Sequence, residues 1–172
     1  MALFVVIPLR LTELQLPVAQ HWTVYLPAVL VSLIFLMPAI RHAEKTGRIK
    51  ELFITAISLV LAAFAGFEIF DNSVLLISVL LLVFFSGFNV LEASLPSLVS
   101  KTAPAECKGL ALGVYNTTQS VGVFIGGAAG GWLYGAFGTH GVYAFCALLM
   151  VIWIIAARGM TAPGPRSVEA DI

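Results

Sequence analysis

The chain has 172 residues, of which 60% are hydrophobic and 10% are charged. Soluble domains are about 45–50% apolar and about 25% charged, so a soluble globule of this size is excluded. Disorder over the whole chain is also excluded, because disordered chains are poor in apolar residues and rich in charge. The remaining class is an integral membrane protein, and the zero net charge gives no indication of nucleic-acid binding.

Uncharged blocks along the chain predict membrane-spanning α-helices. Residues 22–40 form one such block, and residues 109–158 form a block too long for a single pass of about 20 residues. The breakers between Gly138 and Gly141 divide this long block, and no block alternates with the period of a strand. We therefore predict an all-α integral membrane fold with five full helices and a truncated first one. The predicted helices lie near residues 1–10 (partial), 22–40, 52–70, 74–99, 109–136 and 142–158.

The two ends of the sequence differ from these blocks. Met1–Leu9 is apolar, but its nine residues give only about 14 Å of helix, which is half of the hydrocarbon core. It also lacks the basic start and the cleavage site of a signal peptide. We interpret it as the end of a helix that starts upstream. Residues 161–172 are predicted to be a disordered tail.

The basic residues predict the orientation. When the helices alternate across the bilayer, eight of the nine Lys and Arg fall on one side, and Arg10 is the exception. The positive-inside rule makes that side cytoplasmic, and the C-terminus lies on it.

Three stretches make the sequence resemble a known family: residues 20–26, residues 91–101, and the glycine-rich run from Lys108 to Trp132. From Met1 to about Met160, the sequence resembles the C-terminal six-helix half of a major facilitator superfamily transporter, closest to the YajR-like bacterial inner membrane transport proteins. The resemblance implies part of a twelve-helix fold in which two helical bundles enclose a midplane site. It also implies a bacterial inner membrane location and proton-coupled efflux of small molecules.

The segment 40–50 resembles the signature cytoplasmic loop of that family. Glu44 stands in place of the family's Asp, and Lys45, Gly47 and Arg48 match the signature. Glycine also allows the chain to reverse direction at this position. With Arg41, these residues either fix only the topology or form a charge lock at the cytoplasmic gate.

Glu92 is an acid inside an otherwise uncharged run, about two turns from the cytoplasmic end. A charge at this depth costs about 2.5–3.5 kcal/mol, so it needs protein or water around it and a partner. The candidate partners are Arg41 and Arg48. Three interpretations remain open: a pair at the gate, a protonatable residue coupled to transport, and a lone carboxylate that reaches toward the interface.

Polar side chains cluster in the long helical block after residue 109. Asn116 and Gln119 are three residues apart and share a helix face with Ser120, and Asn89 adds an amide on the preceding helix. Such amides either bond to neighbouring helices or face an aqueous cavity. The resemblance places these helices around the central cavity, which makes Asn89, Tyr115, Asn116 and Gln119 candidates for substrate contact.

Glycines repeat along the same block and predict either close helix packing or bend points. These candidate packing glycines are Gly113, Gly122, Gly126, Gly127, Gly130 and Gly131.

The sequence thus predicts part of a transporter, with the lipid bilayer and an unknown small molecule as partners and protons as a candidate coupling ion. Transport requires a second bundle, either the missing N-terminal half or another helical partner. The alternative is a non-transporting membrane scaffold or subunit. Enzyme function is not predicted, because no catalytic arrangement is apparent. The three His lie in separate loops, so no metal or cofactor is expected.

Overall fold

The computed structural model describes residues 1–160, and all regular structure in that range is helical. The five α-helices are α1 (Ala2–Glu13), α2 (Trp22–Thr46), α3 (Ile49–Phe70), α4 (Val74–Thr102) and α5 (Lys108–Arg158). Single 3₁₀ turns precede α2 and α5, at Val18–Gln20 and Ala105–Cys107. The predicted all-α fold class is confirmed.

Helix α5 consists of two helices that meet at Gly138. This glycine has φ of 66° and ψ of −158°, a conformation that L side chains rarely adopt. The first part of α5 therefore runs over residues 108–137 and the second part over residues 139–158. With α2, α3 and α4, these two parts give five helical segments of membrane-spanning length and apolar composition, so the chain is a multi-pass membrane protein.

Helix α2 continues six residues beyond its predicted end near residue 40. The prediction placed the end where the first charged side chain appears, and that position marks the edge of the apolar layer rather than the end of the helix. Gly47 ends α2 instead, with φ of 68° and hydrogen bonds to the carbonyls of Ala43 and Glu44. The predicted disordered tail lies outside the described residues.

Helix α3 lies at the centre of the bundle and packs against both α4 and α5. Gly87 of α4 permits this approach, because a Cβ at this position would lie 2.5 Å from the carbonyl oxygen of Ala56 on α3. Helix α2 packs on α4, and α1 packs on α5. Backbones that approach this closely are typical of helix packing in lipid, where small residues increase van der Waals contact.

Charged side chains gather at the two ends of the bundle. The basic end carries seven Lys and Arg and three Glu, namely Arg41, Lys45, Arg48, Lys50, Lys101, Lys108, Arg158, Glu44, Glu51 and Glu106. The acidic end carries Arg10 with Glu13, Glu68 and Asp71. Eighteen residues of α3 separate Lys50 from Glu68, which is about 27 Å and close to the thickness of a bilayer core. The two ends therefore correspond to the two membrane surfaces.

Candidate functional site

A polar contact joins α4 to the first part of α5 midway between the two ends. The Gln119 side-chain amide donates a hydrogen bond of 2.6 Å to the Glu92 carboxylate, and this pair lies on an exposed surface of the bundle. Nine residues separate Glu92 from Lys101, and eleven separate Gln119 from Lys108. These spacings correspond to about 14 and 16 Å of helix, so the pair lies near the middle of the hydrocarbon layer.

The structure gives Glu92 a different partner from the two arginines that the sequence suggested. Arg48 instead lies 3.7 Å from Glu51 in an exposed pair, and Arg41 is exposed near the end of α2. Both arginines belong to the basic end, whereas Glu92 lies several turns deeper. No ion pair with Glu92 is formed among residues 1–160. The hydrogen bond to the neutral amide of Gln119 brings no compensating positive charge to this carboxyl group.

The polar residues around Gln119 have mixed environments. Asn116 is exposed and Tyr115 is partly buried. The Ser120 hydroxyl donates to the backbone carbonyl of Asn116 at 2.9 Å, so this hydroxyl is satisfied within its own helix. The amide of Asn116 and the Glu92–Gln119 pair give α4 and α5 a polar surface that faces away from the bundle core.

Asn89 lies one turn before Glu92 and connects α4 to α2. Its amide donates a hydrogen bond of 2.7 Å to the Ser32 hydroxyl, which in turn donates to the carbonyl of Val29 at 2.7 Å. Ser32 is only 1% exposed, so this chain of hydrogen bonds is internal to the bundle. The sequence left open whether the Asn89 amide bonds to a neighbouring helix or faces an aqueous cavity. In the structure this amide bonds to α2.

At the basic end, α2 and α4 are joined by an ion pair. The Lys101 ammonium lies 2.8 Å from the Glu44 carboxylate. These two side chains border a small cavity of about 80 Å³ between α2, α3 and α4, which Ser94 and Ser97 also line. Lys45 and Gly47 are exposed on the adjoining turn. Sequence reasoning selected Glu44 but missed Lys101, although Lys101 lies in one of the stretches that carry the family resemblance.

The candidate packing glycines have different surroundings. A Cβ on Gly130 would lie 2.6 Å from the Cβ of Ala2, so this glycine lies directly against α1. Gly126 lies near Met1 at 3.8 Å by the same measure. The other four glycines, Gly113, Gly122, Gly127 and Gly131, have open space at the Cβ position within the described chain.

An apolar cavity of about 270 Å³ lies beside the first residues of α1. Its lining comes from α3, α4 and both parts of α5, and includes Phe64, Phe88, Gly122 and Trp153. The sequence offered no signal for this cavity, because its walls come from residues far apart in the chain.

At the acidic end, an ion pair that the sequence did not reveal joins α1 to the end of α3. The Arg10 guanidinium lies 3.0 Å from the Asp71 carboxylate and also donates to the Asp71 backbone carbonyl at 3.1 Å. A further hydrogen bond of 2.7 Å goes to Glu13. The hydrogen bond to Glu13, and that to Asp71, raise the pKa of Arg10 while partial burial opposes the rise. Sixty-one residues separate Arg10 from Asp71, so spacing alone could not pair them.

Comparison with known proteins identifies the family. The sequence model of the Major Facilitator Superfamily matches residues 1–171. The chain belongs to this superfamily. It is 38% identical over 163 residues to the inner membrane transport protein YajR of Escherichia coli, and this match covers 95% of the chain and 36% of the relative. The resemblance on which the sequence interpretation relied is confirmed.

Two more distant relatives of this superfamily member also have names that describe transport or drug resistance. An uncharacterised transporter of Buchnera aphidicola is 27% identical over 72% of the chain and 32% of the relative. The multidrug resistance protein MdtH of Baumannia cicadellinicola is 27% identical over 75% of the chain and 31% of the relative. The chain therefore spans about a third of the length of the curated relatives that it matches. These relatives indicate a transporter rather than an enzyme.

The described residues contain no group of His, Cys, Asp or Glu arranged to hold a metal ion. The polar groups at the surface of α4 and the first part of α5 include the carboxylate of Glu92, the amides of Asn116 and Gln119 and the phenol of Tyr115. Such groups bind a proton or a polar molecule by charge and hydrogen bonding.

Proposed function

We propose that this chain is part of a transporter that moves small molecules across the bacterial inner membrane, and that α4 and the first part of α5 line its pathway. The observation that carries the proposal is the exposed Glu92–Gln119 pair near the middle of the hydrocarbon layer. An ionisable side chain at this depth is costly in lipid and is normally found facing protein or a water-filled cavity. A polar cavity at the bilayer midplane is where transporters of this kind bind their cargo.

A second helical bundle completes the proposed pathway. The chain spans about a third of its relatives, and the polar surface of α4 and α5 is exposed in the bundle formed by this chain alone. In a two-bundle transporter, this surface faces the other bundle across the cavity, and rocking of the two bundles opens it to alternate sides. The chain then corresponds to the C-terminal bundle, as the sequence resemblance implies.

Glu92 is the proposed site of proton coupling. It lies inside a membrane-spanning helix and forms no ion pair among residues 1–160, and its hydrogen-bond partner is the neutral amide of Gln119. A proton taken up by the carboxylate removes the charge from the middle of the membrane and changes this hydrogen bond. Efflux driven by protons requires a group of this kind in contact with the cavity.

The proposed orientation places the basic end and the C-terminus in the cytoplasm. Seven of the eight Lys and Arg among the described residues lie at that end. This asymmetry agrees with the positive-inside rule. The Glu44–Lys101 pair then lies at the cytoplasmic end of the pathway, where we propose that it holds α2 and α4 together as part of the gate.

The second candidate function is a membrane scaffold that binds another helical protein without transport. The open space beside Gly113, Gly122, Gly127 and Gly131 favours it, because small residues on an exposed face permit close contact with a further helix. The two functions differ in whether Glu92 is required, since a packing surface made of glycines does not use a carboxylate.

The decisive experiment measures efflux when the chain is produced together with the part of the Escherichia coli relative that it does not cover. Cells with the wild-type chain should expel at least one of a panel of fluorescent dyes when a proton gradient is present. Glu92→Gln should reduce that efflux at least about tenfold, because an amide cannot take up and release the proton that the proposed coupling step requires. Glu106→Gln is the matched control, since Glu106 is an acid in the 3₁₀ turn at the basic end.

Three outcomes distinguish the parts of this proposal. Efflux by the 172-residue chain alone would show that no second bundle is needed. Full efflux by Glu92→Gln would remove Glu92 from the pathway. An absence of efflux with every dye, together with stable association of the two proteins, would favour the scaffold.

A further inference from the structure

Helix α3 and the second part of α5 form an antiparallel pair whose contacts extend from one membrane surface to the other. At the acidic end, the His140 ring lies 2.8 Å from the Glu68 carboxylate. At the basic end, the Lys50 ammonium donates a hydrogen bond of 2.7 Å to the backbone carbonyl of Arg158. Since these contacts are separated by about 27 Å of helix, Lys50 and Arg158 lie at the level of the lipid headgroups.

Lys50 and Arg158 have hydrogen-bonding capacity beyond this contact. The ammonium of Lys50 has three N–H groups and gives one of them to the carbonyl, while the exposed guanidinium of Arg158 has five. Neither side chain forms an ion pair within residues 1–160. The neighbouring acid, Glu51, lies toward Arg48 instead. The Lys50 ammonium and the residue Arg158 therefore bring two cations without acidic partners in the described residues to the junction of α3 and α5.

Exposed apolar side chains lie nearer the bilayer centre on the same helix as Arg158. Ile155 and Ile152 are 65% and 53% exposed, and they lie about one and two turns from Arg158 on the same helix. Trp153 packs its ring edge against Phe53 of α3, with 5.8 Å between the ring centroids. A ligand that combines a negative headgroup with a hydrocarbon chain matches this arrangement of charge above apolar surface.

The charge distribution of the whole bundle favours a negative ligand at this end only. The basic end has four more cations than anions among the described residues, and the acidic end has two more anions than cations. Each basic residue near the membrane surface strengthens the attraction to anionic lipid by about fivefold.

We propose that Lys50 and Arg158 form a binding site for the phosphodiester of an anionic phospholipid from the surrounding bilayer, with an acyl chain of that lipid lying on Ile152 and Ile155. The lipid would connect the amino end of α3 to the carboxyl end of α5 at the membrane surface. This site is separate from the polar surface around Glu92 and does not depend on transport.

The test is native mass spectrometry of the full chain in detergent, titrated with phosphatidylglycerol or with phosphatidylcholine. Phosphatidylglycerol should bind more tightly, and the double variant K50Q/R158Q should weaken its binding at least about tenfold. The matched control is K45Q/K108Q, which removes the same charge from the same end at two cations that form no ion pair in the described chain. This control should bind phosphatidylglycerol as the wild type does.

Several results would overturn the proposal. Equal loss in both double variants would indicate a diffuse charge effect rather than a site. Equal binding of phosphatidylcholine would exclude recognition of negative charge, and competition by millimolar inorganic phosphate would indicate a site for a free anion. The conservative variant K50R/R158K provides a control for folding, because it retains both charges and should retain the lipid with unchanged helical content by circular dichroism.

Discussion

At the scale of single residues, two ion pairs of similar composition have very different surroundings. Asp71 is 9% exposed and receives the Arg10 guanidinium at 3.0 Å, while Arg48 and Glu51 are 3.7 Å apart with more than half of each side chain exposed. Water screens the exposed pair, and such pairs contribute about 0–1 kcal/mol to the free energy of unfolding. The Asp71 carboxylate has little access to water, so the Arg10 guanidinium is needed to compensate its charge in the folded protein.

Arg10→Ala should therefore lower the free energy of unfolding by about 1–3 kcal/mol, because it leaves a mostly buried carboxylate without its cation. The measurement is unfolding of the detergent-solubilised chain in increasing concentrations of sodium dodecyl sulfate. Arg48→Ala is the matched control and should change the same free energy by less than about 0.5 kcal/mol.

Adding Asp71→Asn to the Arg10→Ala variant should recover part of the loss, since the unpaired charge is then removed. Equal effects of Arg10→Ala and Arg48→Ala, or no recovery by Asp71→Asn, would show that burial of Asp71 does not matter.

At the scale of elements, close approach between helices depends on a few small residues. Helix α1 lies on the first part of α5 at Gly130, where a side chain would overlap Ala2. One position further along, Gly131 has open space. The same residue type, in consecutive positions, thus has a packing role in one case and no contact within the described chain in the other.

Gly130→Val should displace α1 and destabilise the bundle by about 1–3 kcal/mol through overpacking. Gly131→Val introduces the same side chain with the same helix propensity and should have a much smaller effect. Spin labels on α1 and α5 measure the displacement directly as a change in the distance between them. The interpretation is wrong if both variants move α1 equally or if neither moves it.

At the scale of the whole molecule, the helices alternate so that seven of the eight basic residues within positions 1–160 collect at one end. The loop that contains Cys107 belongs to this basic end, and Gly138 with His140 belongs to the opposite end. Cys107 is exposed and Cys146 is buried, so one native thiol reports on the position of the basic end.

In intact cells, a membrane-impermeant maleimide should not label Cys107, and it should do so once the cells are permeabilised, because we place the basic end in the cytoplasm. A Thr139→Cys variant in a Cys107→Ser background reports on the opposite surface and should be labelled in intact cells. Labelling of Cys107 before permeabilisation would reverse the proposed orientation.

Much of the architecture could be predicted because membrane insertion depends on local composition. A run such as 74–91 has no charged side chain, and in lipid it satisfies its backbone only as a helix. The family could also be predicted, since motif residues such as Lys45, Gly47 and Arg48 occur in order along the chain. The end of α2 was placed too early because charge marks the membrane boundary and not the end of helical hydrogen bonding.

The partners of the polar residues could not be predicted in the same way. Glu92 was expected near Arg41 or Arg48 but binds Gln119, and Asn89 binds Ser32 on α2. Each of these contacts joins helices whose relative rotation depends on packing across the whole bundle. The residue type indicates that an amide or carboxylate within the membrane layer needs a partner, but it does not indicate which helix provides that partner.

The sequence by itself determined that this protein is helical, spans a membrane several times and belongs to a transporter family, because hydrophobicity and charge act locally along the chain. Only the tertiary structure decided which side chains meet: Arg10 with Asp71, Lys101 with Glu44, and Lys50 with the end of α5. Hydrogen bonds and ion pairs act over about 3 Å. Helix rotations of a few tens of degrees, which composition does not specify, therefore select the partner.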